Sequence, residues 1–150
     1  MAPPSKDGRP LKKLLWLHTM PHHDSGVIDL MRERGAMILF DEMGQMHTEP
    51  VDPDDPFPGL AKRLTDNAMW GSAARRARLN VALAKHLKVD GVVHFNHLGC
   101  RQGLGTVPVL RAAFSKAGLP FLAIDGDSLA RGGPQSEKSR QAMESFLELM

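Results

Sequence analysis

The only cysteine of the chain, Cys100, is the residue whose chemistry is most distinctive. It lies in the segment HLGCRQGLG, after an apolar run and before a stretch typical of a helix, with Gly99, Arg101 and Gly103 around it. A helix N-terminus and a neighbouring cation both favour the thiolate form of a cysteine, which is a nucleophile and a ligand for soft metals. An inert small residue in a turn is the equally weighted alternative, because an isolated cysteine is a weak motif.

Histidines form the second set of potentially reactive side chains. Those near the ends of apolar runs are His18, His22, His23, His94 and His97. A zinc site made of such imidazoles and Cys100 is conceivable, but the chain has no helical zinc motif of the H-E-x-x-H type. Packed or solvated histidines are therefore the favoured interpretation. His94 alternates with apolar neighbours, so we expect it to lie half-buried in a sheet.

Phosphate-binding motifs are absent from the sequence. The glycines of GCRQGLG match neither G-x-G-x-x-G nor G-x-x-x-x-G-K-[ST], so no dinucleotide site or P-loop is predicted. Arg75, Arg76 and Arg78 could contact an anion, but a solvated helix face is the favoured interpretation of such a charge pattern.

Composition limits the classes of protein to consider. The chain has 150 residues with 19 Lys+Arg and 17 Asp+Glu, a net charge of +2, which fits one domain and excludes a strongly basic nucleic-acid binder. One cysteine excludes a disulfide framework and a self-contained multi-thiolate metal site. No signal peptide or membrane-spanning run is found, so we expect a cytoplasmic protein. Residues 1–11 are expected to form a disordered tail and residues 12–150 one α/β domain.

Apolar runs alternate with amphipathic stretches along the chain. The predicted strands are Leu14 to His18, Ala36 to Phe40, Gly91 to Asn96 and Pro120 to Ile124. The predicted helices are Ser25 to Arg34, Pro58 to Leu64, Ser72 to Lys88, Thr106 or earlier to Lys116, and Ser136 to Met150. Asp24 or Ser25 is the predicted N-cap of the first helix, and Gly35 is its C′ residue. Residues from Met43 to Pro58 are predicted to form a loop, for which a solvated connection is favoured over a lid or a partner-contacting loop. This order predicts the α/β class: a three-layer, doubly wound parallel sheet of about four strands, flavodoxin-like or Rossmann-like.

Ligands of such a sheet bind beyond the carboxyl ends of its strands. The polar residues that follow the predicted strands are His18, His22, His23, Asp41, Glu42, Asn96, His97, Cys100, Arg101, Asp125 and Asp127. If the first and third strands are neighbours, His18 and His22 lie close to Cys100.

The order of segments from Lys13 onwards resembles the C-terminal domain of the 2-hydroxyacyl-CoA dehydratase family, which includes 2-hydroxyglutaryl-CoA dehydratase components and benzoyl-CoA reductase subunits. The matching segments are LLWLHTMPHH, ERGAMILFDEMG, DPDDPFPGLAKRL, KVDGVVHFNHLGCR, AGLPFLAIDGD and QSEKSRQAMESFLEL. Each segment alone is weak, but their combination is fairly specific and covers about nine-tenths of the chain.

The resemblance implies a lyase or acyl-CoA reductase that acts on a CoA thioester by single-electron chemistry. Members carry a [4Fe–4S] cluster that receives an electron from an ATP-dependent activator protein. Cys100 falls on a family cysteine and is expected to be one cluster ligand. Because a cluster needs three or four thiolates, it would be shared with other domains or with a partner dehydratase or reductase subunit.

Two alternatives remain open at the level of sequence. One is a non-catalytic subunit or partner-binding domain that keeps the fold and has lost the cluster. The other is an independent α/β enzyme with Cys100 as nucleophile and a nearby histidine as base.

Overall fold

The computed structural model of the protein describes residues 10–21, 26–44, 50–128 and 134–150. Its elements are β1 Lys12–His18, α1 Gly26–Glu33, β2 Ala36–Asp41, α2 Pro56–Asp66, α3 Ala73–Leu87, β3 Gly91–His97, α4 Arg101–Lys116, β4 Phe121–Gly126 and α5 Pro134–Leu149. Among these, no helix has both the length and the apolar character needed to cross a membrane. Outside the described residues lie positions 1–9 of the expected tail, the predicted N-cap at Asp24 or Ser25, and the histidines at positions 22 and 23.

The strands form one parallel sheet in the order β2-β1-β3-β4. Leu15 of β1 is paired with Val92 of β3, and Val92 is paired with Phe121 of β4. The chain passes from β1 outward to β2 and then returns to the other side of β1 to form β3. The order of strands therefore reverses at the β1–β3 boundary, where ligands of open parallel sheets bind. The predicted fold class is confirmed.

The sheet is buried on both faces, which explains why its strands are unbroken apolar runs. Residues Leu14 to Leu17 of β1 are completely buried. Helices α1 and α5 pack against one face, in the cluster that contains Trp16 and Met143. Helices α3 and α4 cover the other face, in the cluster that contains Leu15 and Phe114. Three layers result, as the sequence predicted.

Helix boundaries follow local chemistry. Gly35 ends the α1 turn with φ 67°, which confirms the predicted left-handed C′ residue. Ser72 caps α3 by accepting from the backbone N–H of Arg75. The prediction of a loop as far as Pro58 was wrong for its last residues, because α2 begins at Pro56. Proline is compatible with a first helical turn, where its missing N–H needs no partner.

Candidate functional site

Cys100 and His18 meet beyond the carboxyl ends of β3 and β1. The Sγ atom of Cys100 is 3.4 Å from Nε2 of His18. Cys100 is the N-cap of α4, and its Sγ accepts a hydrogen bond from the backbone N–H of Gly103 at 3.4 Å. The predicted proximity of His18 and Cys100 is confirmed, because β1 and β3 are neighbours.

The imidazole of His18 is held in one protonation form. Its Nδ1 lies 3.0 Å from the carbonyl oxygen of Phe95, which can only accept, so Nδ1 carries the proton. Burial lowers the pKa of His18 and outweighs the opposing effect of that carbonyl, with Arg76 lowering it further. A neutral imidazole protonated at Nδ1 has a lone pair on Nε2. The thiol of Cys100 can therefore donate to Nε2.

Gly103 lets α4 approach the His18 ring closely. A Cβ atom at position 103 would lie 3.0 Å from Cε1 and 3.1 Å from Nε2 of His18, and 3.5 Å from the Sγ of Cys100. Contacts that short require a neighbour to move. A side chain at this position would therefore press on the His18 ring and displace it, or α4, by a few tenths of an ångström.

A buried ion pair between Glu42 and Arg76 lies next to the backbone of His18. Glu42, directly after β2, accepts hydrogen bonds from Arg76 through Nε at 2.9 Å and Nη2 at 2.5 Å. Asn80 donates to the same carboxylate at 2.7 Å, and the backbone N–H of His18 donates at 3.0 Å. Glu42 and Arg76 are 5% and 2% exposed. Burial opposes ionisation of Glu42, but the hydrogen bonds and charge of Arg76 leave its pKa below the usual value.

Arg76 connects this pair to the helix that carries the thiol. Its Nη1 donates to Oγ1 of Thr106 at 2.8 Å, and that hydroxyl donates to the carbonyl of Gly103 at 2.9 Å. A continuous chain of hydrogen bonds therefore joins His18, Glu42, Arg76 and Thr106 to the first turn of α4. The prediction that the arginines of α3 form a solvated face was wrong for Arg76, because it pairs with a buried carboxylate.

The other two arginines of α3 have different roles. Arg75 donates to the backbone carbonyls of Asn67 and Trp70 through Nη1, and to that of Thr65 through Nη2. Arg78 is exposed, as predicted.

His94 lies next to His18 inside the sheet. The two rings stack with centroids 5.4 Å apart and planes 10° apart. His94 is completely buried rather than half-buried, and burial lowers its pKa to about 3. It is therefore neutral at physiological pH, consistent with the predicted packed histidine.

The remaining predicted residues form other contacts. Asp41 binds the backbone N–H groups of Met43 and Gly44 and so stabilises a turn. Asn96 donates to Asp125 at 2.7 Å across the β3–β4 boundary.

His97 accepts a hydrogen bond from the backbone N–H of Ser128 at 3.2 Å. Other candidate residues at this edge are Arg101, which begins α4, and Asp127, whose carboxylate lies 3.7 Å from His97.

Cys100 fits a metal site as one donor. Its sulfur is half-buried and receives a backbone N–H, as cluster-ligating sulfurs do. Within the described ranges, no group of three or more His, Cys, Asp or Glu side chains is placed to hold a metal ion. A polynuclear centre here would take its other ligands from elsewhere.

Comparison with known proteins gives the class of the chain. The family model for the 2-hydroxyglutaryl-CoA dehydratase D-component matches residues 3–150, and the chain belongs to this family. Among curated proteins, it is 22% identical over 131 residues to an (R)-phenyllactyl-CoA dehydratase beta subunit from Clostridium sporogenes. The match covers 83% of this chain and 34% of that relative, so the chain spans about a third of the relative's length.

Proposed function

We propose that this chain is part of a 2-hydroxyacyl-CoA dehydratase or benzoyl-CoA reductase-like assembly and that Cys100 supplies one thiolate ligand of a shared [4Fe–4S] cluster. The observation that supports this most directly is the position of Cys100. The sole thiol of a family member lies at the switch point of the sheet, half-buried, with an N–H donor on its sulfur. A partner subunit would supply the other thiolates, and an ATP-dependent activator would deliver the electron.

Such a cluster, when bound, would supply single electrons to a CoA thioester. The residues of this chain have the tasks of positioning the sulfur and excluding water behind it. Gly103 provides the N–H and the space, and His18 fills the inner side of the sulfur. His18 Nε2 is also the acceptor available for the thiol proton before a ligand bond forms.

Anaerobic reconstitution tests the proposal. The chain is mixed with iron, sulfide and the candidate partner subunit, and cluster absorbance is compared between wild type and Cys100→Ala. Ser72→Ala is the matched control, because it also removes an N-cap hydrogen bond but on α3. We expect absorbance to be lost in Cys100→Ala and retained in the control. Equal absorbance in all three proteins would contradict the proposal and favour the non-catalytic subunit.

A second candidate function follows from the Cys100–His18 contact. A thiol 3.4 Å from an unprotonated imidazole nitrogen is the arrangement of a cysteine nucleophile and its base. This candidate predicts rapid alkylation of Cys100 that slows at least about tenfold in His18→Gln. Alkylation at the rate of a free thiol in both proteins would exclude it.

A further inference from the structure

A groove runs between helices α3 and α4, on the side of these helices that faces away from the sheet. Its volume is about 590 Å³. Its apolar lining residues are Ala74, Ala77, Val81, Ala82, Val109 and Ala113. Three of them, Ala74, Ala82 and Val109, are exposed, so the groove opens to solvent. We call it the α3–α4 groove.

The shape of the α3–α4 groove suits another helix. Its α3 wall runs from Ala74 to Lys85, and the lining residues recur every three or four positions, which places them on one side of the helix. At 1.5 Å per residue this wall is about 16 Å long, the length of about three helical turns. Alanine at positions 74, 77, 82 and 113 leaves room for a further helix to pack at an interaxial distance of about 8–10 Å.

The two helices that form the groove are strongly basic. Four residues of α3 and three residues of α4 are Lys or Arg, and neither helix contains Asp or Glu. One of these cations, Arg76, is paired with the buried Glu42. On the opposite face, α1 and α5 carry charges of both signs, and Arg34 pairs with Glu144 and Glu148 of α5. Because the net charge of the chain is only +2, its positive charge is concentrated on the α3–α4 face.

Cations lie along both walls of the α3–α4 groove. Among the described residues that line it, those with polar side chains are Arg78, Lys85 and Lys116, and all three are exposed. Arg78 and Lys85 are two turns apart on α3, about 10 Å along its axis, while Lys116 belongs to the last turn of α4. This spacing matches a row of carboxylates on each side of an apolar stripe better than it matches a single carboxylate.

We propose that the α3–α4 groove docks an acidic amphipathic helix of another protein. The apolar side of that helix packs on the alanines and valines, and its carboxylates pair with Arg78, Lys85 and Lys116. Docking of an amphipathic helix in an apolar groove is a recurrent mode of recognition, and complementary charge adds specificity and a higher association rate. A basic helix is disfavoured because it would place like charges against both walls. The docking does not depend on the role of Cys100.

Binding of labelled peptides to the whole chain tests the chemistry of the groove. Three peptides of about 18 residues, long enough to form a helix, are compared by fluorescence anisotropy at about 0.15 M salt. The first has leucines on one side and Glu beside them, the second has Lys in place of Glu, and the third has Ser in place of Leu. A labelled single-stranded DNA with the negative charge of the first peptide is the fourth probe.

We expect the acidic leucine peptide to bind at least about tenfold more tightly than each of the other three probes. Equally tight binding of the serine peptide or of the DNA would overturn the proposal, because it would show that charge alone is recognised. Equal or tighter binding of the Lys peptide would overturn it as well.

Charge reversal locates the binding. The double variant Arg78→Glu with Lys85→Glu is compared with Lys138→Glu with Arg140→Glu, which makes the same change of net charge on exposed residues of α5. All four residues are exposed, so circular dichroism is expected to show the same thermal midpoint for both proteins. The groove variant should bind the acidic leucine peptide at least about tenfold more weakly than wild type, and the α5 control less than about twofold more weakly. Equal losses in the two variants would count against the groove.

Photo-cross-linking identifies the natural occupant. A benzophenone-bearing residue is placed at position 82, in the groove, or at position 112, an exposed alanine of α4 outside it, and the tagged chain is expressed in the organism that encodes it. We expect position 82, but not position 112, to cross-link to a helical segment of another protein with more Asp and Glu than Lys and Arg. The groove double variant should lower this yield at least about tenfold. A cross-link to a second copy of the chain, to a lipid or to a basic segment, or none at position 82, would overturn the proposal.

Discussion

Replacing Arg76 with methionine tests the buried ion pair beneath the candidate site. The change leaves the Glu42 carboxylate buried with only the hydrogen bonds from Asn80 and from the His18 backbone. It removes two charge-assisted hydrogen bonds to Glu42, at 2.9 and 2.5 Å, and the bond to Thr106. Removing one partner of a buried pair costs about 3–5 kcal/mol. We expect the free energy of unfolding to fall by about that amount.

Urea unfolding at pH 7, followed by far-UV circular dichroism, gives the free energies. Arg32→Met is the matched control, because Arg32 pairs with Asp29 at 3.3 Å on the surface. Exposed pairs contribute about 0–1 kcal/mol, so the control should change little. A loss for Arg76→Met no larger than for Arg32→Met would refute the reasoning.

A double variant separates lost charge pairing from lost packing. Arg76→Met combined with Glu42→Gln leaves no unpaired charge in the interior. We expect it to be at least about 1 kcal/mol more stable than the sum of the two single losses implies. If the losses simply add, the interior charge of Glu42 is not the cause of the instability.

Two further changes probe the rings beside the thiol. Gly103→Ala should lower the free energy of unfolding by about 1–3 kcal/mol, because its Cβ would press on His18. Gly105→Ala is the control on the same helix: a Cβ there would have no neighbour within 4 Å, so the free energy of unfolding should stay the same or rise by up to about 1 kcal/mol. Equal thermal midpoints for the two variants would show that the ring yields. The pKa of His94 is about 3 in the folded protein, so as the pH falls below about 6.5 this imidazole is protonated in the unfolded chain but not in the folded one. Between pH 7 and 5 this difference in proton binding should lower the free energy of unfolding of wild type by about 2 kcal/mol, and His94→Phe should not show that loss. Urea unfolding at several pH values gives both free energies, and the same pH dependence in the two proteins would contradict the prediction.

The sequence was sufficient for the architecture because each strand is a continuous apolar run with a clear end. β1 and β3, which are buried on both faces, were predicted to within two residues at each end. Their adjacency brings His18 to Cys100, and this was predicted as a consequence of the fold. Periodicity and sheet topology therefore located the candidate site, while the ligand role of Cys100 stays a prediction.

The ion pair of Glu42 and Arg76 was not predictable in the same way. Its partners are 34 residues apart and belong to different elements, so no local pattern joins them. Arg75 and Arg78, close by on the same helix, have the same charge. Only the three-dimensional structure shows that Arg76 is the one buried against Glu42. The start of α2 was missed for a local reason, since two prolines within three residues normally indicate irregular structure.

His18 adopts the left-handed backbone conformation, with φ 67°. Glycine or asparagine suits such a position better, and histidine there costs about 1 kcal/mol. Glycine at position 18 would relieve that cost, but it would also remove a buried ring that binds the Phe95 carbonyl, stacks on His94 and faces the sulfur. The packing and hydrogen bond of this ring therefore outweigh the backbone strain, and the same side chain serves both the stability of the sheet edge and the contact with the thiol.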